Sequence, residues 1–220
     1  MDAAQAELIR RIASVVGHEL RNPMAVINNS AYFVKAKLSG AALDPKVEKH
    51  LKIIESEIAR ADRLIGDILA YSRKCEPMAE LRALDQIVGE TLQSYAAPEG
   101  GKVDFKPGAK DVKVKVDARM FSDSVKRLLD NAFDAMSNKG TVKVATAAVK
   151  GDAVVSVTDC GPGVDAKIKG MLFEPFVTTK PRGLGLGLAL ARKLLEANGG
   201  RTDCETGPKG STFRLILPKA

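Results

Sequence analysis

In DPKVEKHLKIIESEIARADRLIGDILAYS, residues 44–72, the apolar positions Val47, Leu51, Ile54, Ile58, Ala61, Ile65 and Ile68 recur at alternating steps of four and three. That is the a/d seam of a coiled helix. Asp44 before Pro45 predicts an N-cap followed by the first helical position. Working backwards, Ile12, Val16, Leu20, Ile27, Ala31, Val34 and Leu38 mark an earlier helix that should end near Ser39-Gly40. Only Gly40 to Leu43 joins the two, so the first 75 residues predict an antiparallel helical hairpin. One hairpin cannot bury both of its broad stripes, whereas two hairpins can as a four-helix bundle. The seam therefore predicts a homodimer; the alternative is a hairpin packed on its own second domain.

Beyond this segment the period changes. Lys74 to Leu81 reads as a hinge with Pro77 as the breaker. The expected division is residues 1–76 and 77–220. Asp85–Tyr95, Phe121–Met136 and Leu186–Asn198 have helical spacing, the last closed by Gly199-Gly200. Val112–Val116 alternates like a half-buried strand. Thr141–Val149 and Ala153–Thr158 alternate as an antiparallel pair about Gly151-Asp152, and Thr212–Leu217 is a last strand. The fold class expected is a helical hairpin forming a dimeric four-helix bundle, followed by an α/β sandwich with one mixed sheet and helices on one face.

Composition bounds the function. The 220 residues are 45% hydrophobic and 28% charged, as in a globular chain able to bury a core. No apolar run approaches the ~18 residues of a membrane span. The N-terminal stretch is amphipathic with both charge signs, which is not a signal peptide. The 3 cysteines, Cys75, Cys160 and Cys204, lie far apart without a CxxC, so a disulfide framework or a zinc site is not expected and a reducing compartment fits. The net charge of +7 arises from bases scattered among acids, with no Trp. This describes a solvated surface rather than a nucleic-acid interface.

Chemistry is concentrated in a few places. By helical geometry His18 lies well round from the apolar stripe, beside the acid Glu19, and Pro23 interrupts the same helix. A solvent-facing imidazole next to a carboxylate is a nucleophile–base pair. Asp159-Cys-Gly-Pro-Gly163 follows a strand, and Gly183-Leu-Gly-Leu-Gly187 leads into a helix. Glycines there let backbone N–H groups approach phosphate oxygens, and a helix N-terminus favours anions. The spacing is not the dinucleotide GxGxxG, since the third glycine comes too soon. Lys180 and Arg182 precede the glycines and can neutralise phosphate. Asn131 offers a side-chain oxygen to Mg²⁺.

Taken in order, these segments resemble the catalytic core of two-component sensor histidine kinases. Gly17-His-Glu-Leu-Arg-Asn-Pro23 resembles the H box and Asp130-Asn-Ala-Phe-Asp-Ala135 the N box. Asp159–Gly163 resembles the first glycine box. Phe173-Glu-Pro-Phe176 with Thr178-Thr-Lys180 resembles the F box, and Gly183–Leu188 the second glycine box. The match runs from about Ile9 to Leu217.

The resemblance implies a dimerisation and histidine-phosphotransfer domain followed by a Bergerat-type ATP-binding domain. It implies ATP and Mg²⁺ as cofactors, His18 as phosphoacceptor and Glu19 as its base. Asn22 matches the position that orients water for dephosphorylating the partner regulator. Asn131 would hold the metal and Asp159 the adenine amino group. Gly161, Gly163, Phe173, Lys180, Arg182, Gly183, Gly185, Gly187 and Leu188 would line the nucleotide site, whose lid spans Val177–Arg182.

The implied partner is the receiver domain of a response regulator, reached from a homodimer in the cytoplasm, or from the cytoplasmic part of a larger membrane-bound sensor, with no nucleic-acid or membrane contact by this segment. One departure stands out: Arg127 occupies a position that is usually Asn. It either pairs with Asp123 on the helix surface or touches a nucleotide phosphate, and its neighbours in the motif favour the second. The rival readings are a weak or inactive kinase serving as a scaffold or regulator phosphatase, a gyrase- or chaperone-like ATPase, and a nucleic-acid binder.

Overall fold

The computed structural model describes the backbone of residues 3–38, 44–180 and 183–220, and the side chains of these residues except 3–16, 18, 19 and 37. The turn expected at Gly40–Leu43, the Ser39-Gly40 helix end, the Ile12 and Val16 side chains and Arg182 lie outside the described residues. The chain separates into two compact units, Met1–Lys74 and Cys75–Ala220.

The first unit is two long helices. α1 is Ala3–Leu38, with Pro23 inside it, and α2 is Pro45–Ser72. Asp44 caps α2 as the sequence predicts: its side chain accepts from Lys46 N at 2.8 Å, which satisfies one of the unpaired first-turn N–H groups. Two partly exposed ion pairs, Arg21–Asp62 at 2.8 Å and Lys35–Glu55 at 2.9 Å, bridge the helices. Ala31, Leu51 and Ile65 are buried between them. Elsewhere on the described stripe Ile58 and Ala61 are half-buried, and Leu20, Ile27, Val34, Leu38, Val47, Ile54 and Ile68 remain exposed.

The second unit is a sheet with helices on one face. Its elements are β1 (Glu80–Ala83), α3 (Leu84–Gln93), β2 (Gly101–Lys106), β3 (Lys113–Val116), α4 (Ala118–Ala135), β4 (Gly140–Val149), β5 (Asp152–Thr158), α5 (Gly187–Ala197), β6 (Arg201–Gly207) and β7 (Gly210–Pro218), with a short 3-10 turn at Lys169–Met171. The main sheet has the order β2-β4-β5-β7-β6; β2 runs parallel to β4 and all other pairs are antiparallel. Alternation places Val142 and Val144, Ala153, Val155 and Val157, and Phe213, Leu215 and Leu217 on one buried face. The helices cover that face through Leu84, Val88, Phe121, Leu128, Leu129, Phe133 and Leu195. Each such side chain withdrawn from water contributes about 1.5–3 kcal/mol.

Two expectations are corrected. A single sheet was expected, but β3 leaves it and pairs with β1 in a separate two-stranded sheet. Part of the segment expected as a hinge over Lys74–Leu81 is instead ordered with the second unit: Leu81 belongs to β1, and Met78 N donates to Asp117 Oδ2 at 3.0 Å.

Candidate nucleotide and phosphoacceptor sites

Asp159 stands where β5 ends. It is 2% exposed, although an isolated buried carboxylate is costly. The cost is offset by two backbone donors to one oxygen: Gly161 N at 2.9 Å and Ser211 N at 3.2 Å both donate to Oδ1. With Oδ1 so held, the orientation of the carboxylate is set and Oδ2 is left for a polar ligand group. The turn that follows is shaped by one close approach. Gly163 has φ +79°, and a Cβ there would lie 2.1 Å from the carbonyl oxygen of Gly207. Thr206 Oγ1 accepts from Val164 N at 2.9 Å and ties the same turn to β6.

Gly183, Gly185 and Gly187 precede and open α5. Gly185 has φ +69°, and a Cβ would meet Val177 N and O at 2.7 and 2.6 Å. Its carbonyl accepts from Phe176 N at 3.2 Å, so the Phe173–Phe176 loop is strapped to the glycine run. Gly187 is the opposite case: no atom lies within 4 Å of a Cβ built there. α5 also has no side-chain cap, so no side chain at its N-cap position occupies its first N–H groups. A phosphate group fits this cradle on both grounds. Phe173 is half-buried and packs edge-on to Phe213 at 6.2 Å between ring centroids, and Leu188 is half-buried in the first turn of α5.

Across from these, α4 presents Asn131 and Asp134. Lys180 Nζ donates to Asn131 Oδ1 at 3.2 Å and to Asp134 Oδ2 at 2.8 Å. The cation-bearing end of the 178–180 turn and the amide oxygen expected to hold metal are therefore brought together. The donor chemistry suits a hard cation, which prefers oxygen and takes much of its coordination from phosphates and water. Among the described residues there is no cluster of three or more His, Cys, Asp or Glu that would hold a metal without the nucleotide. Arg127 lies on the same helix with its Nε buried. The sequence marks Asp130 and Asp134 only as members of the N-box motif and does not mark Ser211. Tyr95 Oη donates to Asp130 Oδ1 at 2.8 Å, and burial, then Asp130, push that phenol well above its ordinary range.

In the first unit, His18 and Glu19 occupy the middle of α1, one turn before the exposed Asn22; their side chains lie outside the described residues, as does the outward orientation expected of His18. Gly17 is buried against α2: a Cβ there would sit 2.9 Å from Leu69 Cδ1.

Comparison with known proteins accounts for both units. The His Kinase A (phospho-acceptor) domain model matches residues 8–76, and the model of the histidine kinase-, DNA gyrase B- and HSP90-like ATPases matches residues 116–220. Signal transduction histidine-protein kinase AtoS of Escherichia coli is 30% identical over 98% of this chain and 36% of its own length. Sensor protein FixL of Bradyrhizobium diazoefficiens is 31% identical over 95% of this chain and 43% of its own length. The chain thus spans well under half of either relative.

Among solved structures, the catalytic domain of histidine kinase ThkA covers 64% of this chain and 95% of that one, at 27% identity and TM-score 0.56. ThkA in complex with response regulator protein TrrA covers 99% of this chain and 64% of that one, at TM-score 0.70; at 24% identity the likeness shows the fold. The chain belongs to the sensor histidine kinases, as a catalytic core of phosphoacceptor domain and ATPase domain. No helix among the described residues is long and apolar enough to cross a membrane.

Proposed function

We propose that this chain autophosphorylates His18 from ATP and passes the phosphoryl group to an aspartate of a response regulator's receiver domain. The observation that carries the reading is the buried Asp159, whose Oδ1 is fixed by two backbone donors at the mouth of the glycine turn. A carboxylate held this way suits an exocyclic amino group such as that of adenine. The order of the two matched domains supplies the acceptor.

Residues 1–76 would be the dimerisation and phosphotransfer domain and 77–220 the ATP-binding domain. Asp159 orients the base, and Gly161 and Gly163 give it a close-fitting turn. Phe173 and Leu188 border the pocket. Gly183, Gly185, Gly187 and the first turn of α5 receive the phosphates, with Lys180, Arg182 and Arg127 supplying charge. Asn131 would hold Mg²⁺, which neutralises charge on the phosphate oxygens when bound. Transfer of this kind depends on positioning and charge neutralisation more than on covalent help.

In the chemical step an imidazole nitrogen of His18 forms a bond to the γ-phosphorus as the bond to the bridging oxygen breaks. ADP departs with that electron pair, and Glu19 takes the imidazole proton. An aspartate oxygen of the receiver domain then displaces the histidine nitrogen from phosphorus. Asn22, exposed on the same helix, would orient water for the reverse control, hydrolysis of the regulator's phosphoaspartate. The exposed stripe of Leu20, Ile27, Val34, Val47, Ile54 and Ile68 supports a homodimer, since a second hairpin would cover it.

The test is incubation with γ-labelled ATP. His18→Gln should bind nucleotide like the wild type and take up no label, and the wild-type label should be lost in acid and survive base. Label on the His18→Gln protein would overturn the assignment.

A further inference from the structure

Asn131 and Asp134 are three residues apart on α4 and so share one face of the helix. Their oxygens converge on a single cation, the Lys180 ammonium, at 3.2 and 2.8 Å. Lys180 arrives from a turn in which its own N–H donates to Thr178 Oγ1 at 3.0 Å. Its side chain is 42% exposed and that of Asp134 52%, so as a fold-holding ion pair the contact contributes little. Its consequence lies in where it sits. Asn131 Oδ1, the oxygen proposed for the metal, is already engaged by a positive charge. A divalent cation bound at that oxygen would be repelled by the ammonium, so the two oppose each other there.

We propose that Asp134 is a positioning residue for nucleotide loading. Asp134 pairs with the Lys180 ammonium and so holds it on Asn131 Oδ1, the one oxygen for which that ammonium and the divalent cation compete; its charge biases the contest towards Lys180. When the cation takes Asn131, Lys180 is released towards the phosphates. The inference rests on the nucleotide-site reading above and adds a metal threshold to it: loading requires enough divalent cation to displace a lysine.

The measurement is calorimetric titration of the full chain with ADP over a range of Mg²⁺ concentrations at low salt. Its readout is the Mg²⁺ concentration that gives half of the gain in affinity. Asp134→Asn should lower that concentration about two- to fivefold, the range for loss of an exposed ion pair, and the difference should fade in high salt. Asp134→Glu should behave like the wild type. In a Lys180→Met background Asp134→Asn should change nothing further, because the two residues act as one unit. Equal effects of Asp134→Asn with and without Lys180, or a raised Mg²⁺ requirement, would overturn the proposal. A wild-type chain that binds no ADP at any Mg²⁺ concentration would instead overturn the nucleotide-site reading itself.

Discussion

Gly17 of α1 packs directly on Leu69 of α2: a Cβ at Gly17 would stand 2.9 Å from Leu69 Cδ1 and 3.1 Å from Ile65 Cγ2. The two helices therefore approach closely one residue before His18. The backbone of His18, the proposed phosphoacceptor, thus adjoins a close helix–helix contact.

Gly17→Val should separate the helices here. Overpacking of this kind costs about 1–3 kcal/mol. The expected result is a lower melting temperature for the helical unit and reduced label from γ-labelled ATP, with ADP affinity unchanged because the nucleotide residues lie in the other unit. An unaltered melting curve would show that Leu69 swings aside without cost.

The glycines of the second unit should divide into two kinds. Gly163→Ala must hold a methyl-bearing residue at φ +79° with its Cβ 2.1 Å from Gly207 O. The left-handed conformation alone costs about 1–3 kcal/mol. Thermal unfolding should come earlier and nucleotide affinity should fall. Gly187→Ala meets no atom within 4 Å and sits in a helix, where alanine is favoured by up to about 1 kcal/mol. Its melting temperature should hold or rise while nucleotide affinity falls, since Gly187 belongs to the glycine run proposed to receive the phosphates.

Acid should weaken the second unit through Asp117. Burial pushes this carboxyl up, but backbone N–H groups of Met120, Met78 and Arg119 donate to it and together hold it below its ordinary value. A depressed folded pKa gives stability that is present above the ordinary carboxylate value, near 4, and is lost as pH falls through the lower folded one. Asp117→Ala should cost about 0.5–2 kcal/mol at neutral pH, the value of an N-cap. In urea unfolding, the gap between variant and wild type should narrow below pH 4. A gap constant from pH 7 to pH 2 would refute the argument.

The cysteines should react in order of access. Burial, then Asp203 and Asp159, push the Cys204 thiol up to about 11, whereas Cys160 is exposed beside Asp159. Iodoacetamide at pH 8 should modify Cys160 first and Cys204 last, because the thiolate is the reacting species. ADP should slow the reaction at Cys160 alone. Mass spectrometry of peptides at timed intervals reads both effects.

Much of the fold was legible because periodicity reports burial directly. The heptad seam announced α2, and strict alternation announced β4 and β5, where each inward residue packs under the helices. What alternation missed was the sheet's rim. β6, RTDCETG, carries polar side chains on both faces and lies at the edge beside β7 alone. β2 has only Val103 and Phe105 to mark it and pairs in parallel with β4, across the whole of α4. β1 and β3 alternate acceptably but find each other instead of the main sheet, and no local signal distinguishes those partners.

The site divides in the same way. Sequence by itself determined the types of group and their order: an imidazole beside a carboxylate, an amide in the N box, an acid before a glycine turn, and a glycine run before a helix. It did so because these identities are fixed by chemistry that tolerates few alternatives. Only the tertiary structure decided that Ser211 N–H steadies Asp159, that Gly207 forces glycine at position 163, and that Lys180 reaches Asn131 and Asp134. Each of these contacts joins segments more than forty residues apart, and a pairing of that range is chosen by the packing of the whole sheet and its helices, which no local pattern encodes.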